Sequence, residues 1–137
     1  MASSIGLNDN CVNIFQELKL KKTHRYIIYG LSHDLKEIEV LKTSSSDSYD
    51  DFLSDLPETD CRWAVYDFIY EKDRQKRNKL VFISWSPEVA KIKQKMIFAS
   101  SKEALRRALV GIEAEIQGTE YFEVAYESVL DKVSRGA

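Results

Sequence analysis

Cys11, Ile14, Phe15 and Leu18 recur at i, i+3, i+4 and i+7, the spacing that lines one side of a helix. Asp9 stands where a capping carboxylate belongs, so the pattern predicts a first helix running to about Leu20. RYIIYGL (25–31) and KEIEVLK (36–42) then read as a strand pair across the turn SHDL. In the second of these, Ile38 and Val40 alternate with Glu37 and Glu39, which leaves one face wet. SSSDS (44–48) reads as a loop, and a short acidic helix over 49–56 is stopped by Pro57. RWAVYDFIYE (62–71) and KLVFISW (79–85) are nearly continuous in aromatic and β-branched residues, as expected of central strands covered on both faces. The basic, glycine-free KDRQKRNK between them predicts a hairpin that continues outward past the body of the domain. GIEAEIQ (111–117) alternates as a last strand, and Phe122, Ala125, Tyr126, Val129 and Val133 fall on one helix face. The order of elements predicts an α/β domain with a central mixed sheet layered between helices.

PEVAKIKQKMIFASSKEALRRAL, residues 87–109, is the segment whose chemistry stands out. Ser86-Pro87-Glu88 has the features of a helix start: a hydroxyl, a proline at the first helical position and an acid in the first turn. Val89, Ile92, Met96 and Ala99 form an apolar stripe flanked by Lys91, Lys95 and Lys93, with Ile97 and Phe98 outside it. Ser100 and Glu103 match a capping box. The expectation is a long helix to about Ala99, a break at Ser100–Ser101, and a short helix over 102–109 carrying Lys102, Arg106 and Arg107. A solvated helix shoulder is the reading that spacing alone favours. An anionic lipid surface, an acidic protein and a nucleic acid fit the same spacing, the last least well for want of interleaved exposed aromatics.

Composition narrows the choice. The chain has 137 residues, of which 44% are hydrophobic and 31% charged, with a formal net charge of −2, as in an ordinary globular domain rather than a dedicated nucleic-acid binder. Charge is unevenly placed. Residues 47–60 hold six acids and no base, whereas 72–79 hold five bases and one acid, and 87–109 six bases and two acids. That asymmetry suits oriented docking. No apolar run approaches the length of a membrane span, and MASSIGLNDN lacks the basic start and apolar core of a secretory signal. Cys11 and Cys61 have no metal-ligand spacing and read as reduced, buried thiols; His24 and His33 stand in no ligand set. No nucleophile–base pair, phosphate loop or metal cluster points to an enzyme, and no metal or cofactor is expected.

CVNIFQELKL, DDFLSDLPETDCRWAVYDFIYE, RNKLVFISWSPEVAKIKQKM, ASSKEALRRALVGIEAEIQGT and YESVLDKVSRGA, taken in order, closely resemble the ADF/cofilin family, its single-domain fungal-type members above all. The resemblance covers nearly the whole chain. It implies one ADF-homology domain over residues 1–137, a five-stranded mixed sheet between helix layers, and actin as partner. It further implies binding of monomers and filaments with a preference for ADP-actin, filament severing and depolymerisation, and residence in the cytoplasm and actin cytoskeleton, with the nucleus a further location. A module of the same fold that decorates filaments without severing them is the alternative.

The resemblance also distributes roles. Ser3, Ser4, Ile5 and Gly6, with Lys93, Lys95, Met96, Arg106 and Arg107, would bind monomers and filaments alike. Arg77, Lys79, Asp131, Lys132 and Arg135 would contact filaments only. Lys93, Lys95, Lys102 and Arg106 would bind phosphatidylinositol bisphosphate in competition with actin, and Ser3 occupies the family's phosphorylation position. No nucleic acid is implied, and the expected state is a monomer. Three departures stand out. Ser4 replaces the usual Gly after the first Ser, Lys21 replaces a loop Gly, and Lys91 replaces the Pro that usually follows Ala90.

Overall fold

Backbone alternation and turn chemistry build a single twisted sheet. The computed structural model describes residues 5–135. It opens with β1 (Gly6–Leu7), α1 (Asn10–Gln16) and a π-helical turn (Glu17–Lys21), followed by β2 (Tyr26–Leu31) and β3 (Glu37–Ser44). Next come α2 (Tyr49–Ser54), β4 (Arg62–Lys72), β5 (Gln75–Trp85) and α3 (Ile92–Ala108). β6 (Ala114–Gly118), a 3-10 turn (Tyr121–Val124) and α4 (Tyr126–Arg135) complete the chain. Strand order is β1-β3-β2-β4-β5-β6. β1 and β6 run parallel to their neighbours, and the other pairs are antiparallel. This is the expected mixed α/β architecture with six strands instead of five. The added strand, β1, is only two residues long, tied by Gly6 N–H to the Lys36 carbonyl (3.0 Å) and Asn8 N–H to that of Ile38 (2.9 Å). Two residues carry no periodicity to read.

The near-continuous apolar runs of β4 and β5 are explained by a core on each face of the sheet. Trp63, Val65, Leu80 and Phe82 point toward a cluster with Phe15 and Leu18 at the N-terminal helix and Phe98 and Leu105 of α3. Ala64, Tyr66, Phe68, Val81 and Ile83 point the other way, toward Phe52 of α2 and Val129 and Val133 of α4. Alternation is thus still present, but both phases are apolar. β4 and β5 stay in register from Arg62↔Trp85 out to Lys72↔Gln75, so the expected outward hairpin forms. Its two-residue turn is Asp73–Arg74, both at positive φ (56° and 66°), the twist-matched geometry of tight hairpins.

Local start and stop signals needed correction. Asp9 is already helical and makes no side-chain cap; Asn8 Oδ1 accepts the Asn10 N–H instead, at 3.0 Å. The helical run then widens into the π turn and ends at Lys22, which adopts the left-handed conformation (φ 57°). The glycine that Lys21 replaces is therefore not required: the reversal falls one residue later, on a lysine whose ammonium lies 3.2 Å from buried Asp67. At the other end of the chain, Glu120 and Glu123 close a reciprocal capping box on the 3-10 turn, so α4 starts at Tyr126 and not near Phe122.

Candidate functional site

The segment 87–109 forms one helix, not two. Residues 87–90 make a turn, with Ala90 N–H donating to the Pro87 carbonyl at 3.0 Å, and α3 then runs unbroken from Ile92 to Ala108. Pro87 does not start a helix because it and Ala90 are buried, and the Ser86 hydroxyl sits 3.5 Å from Cys61 Sγ. Ser100 does not cap a second helix; its hydroxyl donates back to the Ile97 carbonyl at 3.1 Å. A break there is opposed by packing. Phe98, Ser101, Leu105 and Leu109 are the buried positions, spaced i, i+3, i+7 and i+11. The Phe98 ring stacks on Trp63 of β4 with centroids 4.1 Å apart and planes 14° apart. Ser101, wholly buried, supplies a small residue where α3 lies against the sheet.

This geometry reverses the inside and outside of the helix. The stripe at Val89, Ile92 and Met96 faces solvent, with exposures of 72%, 74% and 67%, and Phe98 faces the core. That much aliphatic surface shown to water on one side of a helix, with an aromatic anchored on the other, is a patch of the kind that docks partners. Around it, Lys91, Lys93 and Arg107 are exposed. Lys95 Nζ donates to the Glu88 carbonyl at 3.0 Å, which braces the turn before the helix. Arg106 Nε and Lys102 Nζ lie 2.6 and 3.4 Å from the two Glu115 carboxylate oxygens. The Arg106 hydrogen bond holds that carboxyl below its ordinary range, against the effect of partial burial. An unbroken rod of 17 residues, about 25 Å long at 1.5 Å per residue, therefore carries Lys93, Lys95, Met96, Lys102, Arg106 and Arg107 as one unit.

Beside the start of α3, Val89, Trp85, Tyr121 and Phe122 line an open groove of about 530 Å³. Its walls are fixed by Trp85 Nε1 donating to the Pro57 carbonyl and the Tyr121 hydroxyl donating to that of Leu56, both at 2.6 Å. Phe122, 67% exposed, was expected to share a helix face with Val129 and Val133, both of which are buried. The 3-10 turn moves it outward, so periodicity counted along a helix could not have placed it. Ile92 and Val89 were visible as apolar but not as exposed.

The second expected group also comes together. Lys79 Nζ donates to the Val133 carbonyl (3.0 Å), which puts the outer hairpin against the end of α4. Lys132 and Arg135 are exposed on α4, and Arg135 is paired with Asp131 one turn earlier. Arg77 is half-buried, across the hairpin from Tyr70. Ile5 and Gly6 lie at the β1 edge of the sheet, half-buried and exposed respectively; Ser3 and Ser4 lie outside the described residues.

A dry centre ringed by cations can take up an acidic surface with an apolar cleft, the charges steering and the aliphatics supplying affinity. Among the described residues no group of three or more His, Cys, Asp or Glu could hold a metal ion, and no helix is long and apolar enough to cross a membrane. Cys11 and Cys61 are free and buried.

Comparison with known proteins adds a family to this geometry. A family described as cofilin/tropomyosin-type actin-binding protein matches residues 4–134. The cofilin of Mycosarcoma maydis is 61% identical over 136 residues, covering 98% of each chain. The crystal structure of Streptomyces griseoflavus cofilin superposes with a TM-score of 0.90 at 60% identity, over 94% of this chain and 96% of that one. Plasmodium berghei actin depolymerization factor 2 gives 0.81 at 31% identity, over 97% of both.

Proposed function

The chain belongs to the cofilin/tropomyosin-type actin-binding protein family, and on that footing we propose that it binds actin monomers and filaments, prefers ADP-actin, and severs and depolymerises filaments. The observation that carries this reading is α3, whose Ile92 and Met96 face solvent between Lys93, Lys95, Arg106 and Arg107 while Phe98 holds the opposite side to the sheet. With Ile5 and Gly6 of the N-terminal segment, and Ser3 and Ser4 before them, this is the surface for a single actin subunit. Arg77, Lys79, Asp131, Lys132 and Arg135 form the second surface, which meets the neighbouring subunit in a filament. Two surfaces on adjacent subunits pull a filament toward the twist at which both are satisfied, since full binding energy is available only there. Boundaries between twisted and untwisted stretches are then where it breaks.

Residues 1–137 act as one ADF-homology domain, a monomer of the cytoplasm, the actin cytoskeleton and the nucleus, by binding rather than by catalysis. Phosphatidylinositol bisphosphate competes with actin for Lys93, Lys95, Lys102 and Arg106, and a phosphate on Ser3 would repel the acidic actin surface. The test is to image labelled filaments while adding substoichiometric protein, on ADP and on ADP-phosphate filaments. Breaks should rise with protein added and rise more on ADP filaments. Dense decoration without added breaks would leave the decorating module as the correct description.

A further inference from the structure

We infer that Lys72 and Lys79 form a paired clamp that sets the pose of the second surface, so that Lys79 acts there as a positioning residue and Arg77 as the contact. The last turn of a helix leaves carbonyls without partners at the negative end of its dipole. In α4 the Ser134 carbonyl accepts from Lys72 Nζ at 2.6 Å and the Val133 carbonyl from Lys79 Nζ at 3.0 Å. Both lysines come from the outer hairpin, one from each strand. They share a face, because Phe68, Tyr70 and Lys72 stand directly opposite Lys79, Arg77 and Gln75. The same face meets the other end of α4, where the Phe68 ring lies against Tyr126 with centroids 5.2 Å apart.

The hairpin thus grips α4 at both ends. Arg77 lies between the two bonded lysines along the strand pair and on the same face of it, and α4 exposes Lys132 and Arg135. Free, the hairpin would be a two-stranded arm with little to fix its angle. Clamped, it and the end of α4 move as one body, and their cations keep the spacing a repeating filament surface requires. Lys72 opens the basic run 72–79 but belongs to neither expected contact group. Lys72, like Lys79, is half-buried, and its ammonium is committed to a helix carbonyl.

The inference rests on the proposed filament binding, and the experiment separates the two. Lys72→Met, Lys72→Arg and the unmodified protein are compared in filament co-sedimentation, in monomer binding, and in amide exchange of residues 131–135 without actin. Lys72→Met should bind filaments about tenfold more weakly, equivalent to about 1.4 kcal/mol. Its monomer affinity should be unchanged and its α4 exchange faster, and Lys72→Arg should restore both properties. Unchanged exchange in Lys72→Met overturns the clamp, and so does an equal loss in monomer and filament binding. If the unmodified protein does not pellet with filaments, it is the functional reading that falls.

Discussion

Truncating two residues of α3 that lie only two positions apart should have opposite consequences. Phe98 is 4% exposed and stacked on Trp63, whereas Met96 is 67% exposed. Phe98→Ala removes a buried ring and leaves a hole against the sheet, a change that costs about 3–5 kcal/mol. With a urea slope of about 2 kcal/mol per molar for a chain of this size, the unfolding midpoint should fall by about 2 M. Met96→Ala removes atoms already in water, and its midpoint should stay within the range of about 0.5 kcal/mol typical of surface changes. Actin binding should behave inversely. Met96→Ala should lose about tenfold in monomer affinity, the loss typical of a contact worth more than about 1 kcal/mol at the centre of an interface. Urea titrations followed by far-ultraviolet circular dichroism, paired with fluorescence binding to labelled monomer, read both quantities. If Met96→Ala destabilised the fold as much as Phe98→Ala, the assignment of inner and outer faces would be wrong, and the proposed surface with it.

Lys91 is the N-cap of α3 yet supplies no side-chain acceptor and puts a cation at the positive end of the helix. Lys91→Ser should therefore stabilise the protein by about 1 kcal/mol, seen as a higher urea midpoint; a lower midpoint would mean that the lysine packs or pairs. Burial pushes the Cys11 thiol from its ordinary value near 9 up to about 11. The native fold favours the neutral thiol, so this contribution to stability is complete below pH 9 and is lost as pH rises through about 11. Cys11 should resist iodoacetamide at pH 8 until urea is added, with mass spectrometry as the readout, and rapid native labelling would contradict its burial. Arg106→Ala with Arg107→Ala should weaken monomer and filament binding together, whereas Arg77→Ala should spare monomers. Equal losses from both in the two assays would dissolve the division into two surfaces.

Much of the fold was legible because its signals are local. The runs at 62–71 and 79–85 announced paired central strands, and a basic connection without glycine announced the outward arm. The acidic helix ended near Pro57 as expected, at Ser54. Two failures on the basic segment share one cause. Ser86-Pro87-Glu88 and Ser100–Glu103 are valid local start signals, but Pro87 and Ser101 are buried, and burial decided where the helix began and that it did not break. β1 escaped notice because two residues of backbone pairing leave no trace in side-chain pattern.

The candidate site divides the same way. Residue order alone carried the family resemblance and the identities of the cations, since charge and spacing are properties of the chain. Which side of α3 faces a partner was not contained there. Two apolar stripes compete on that helix, and only contact with Trp63 selects the one bearing Phe98 for the core and leaves Ile92 and Met96 outside. Likewise no local rule joins Lys72 or Lys79 to Ser134 and Val133, 62 and 54 residues away. Periodicity reports that a helix has an apolar side; which apolar side is buried depends on the shape of the sheet it meets.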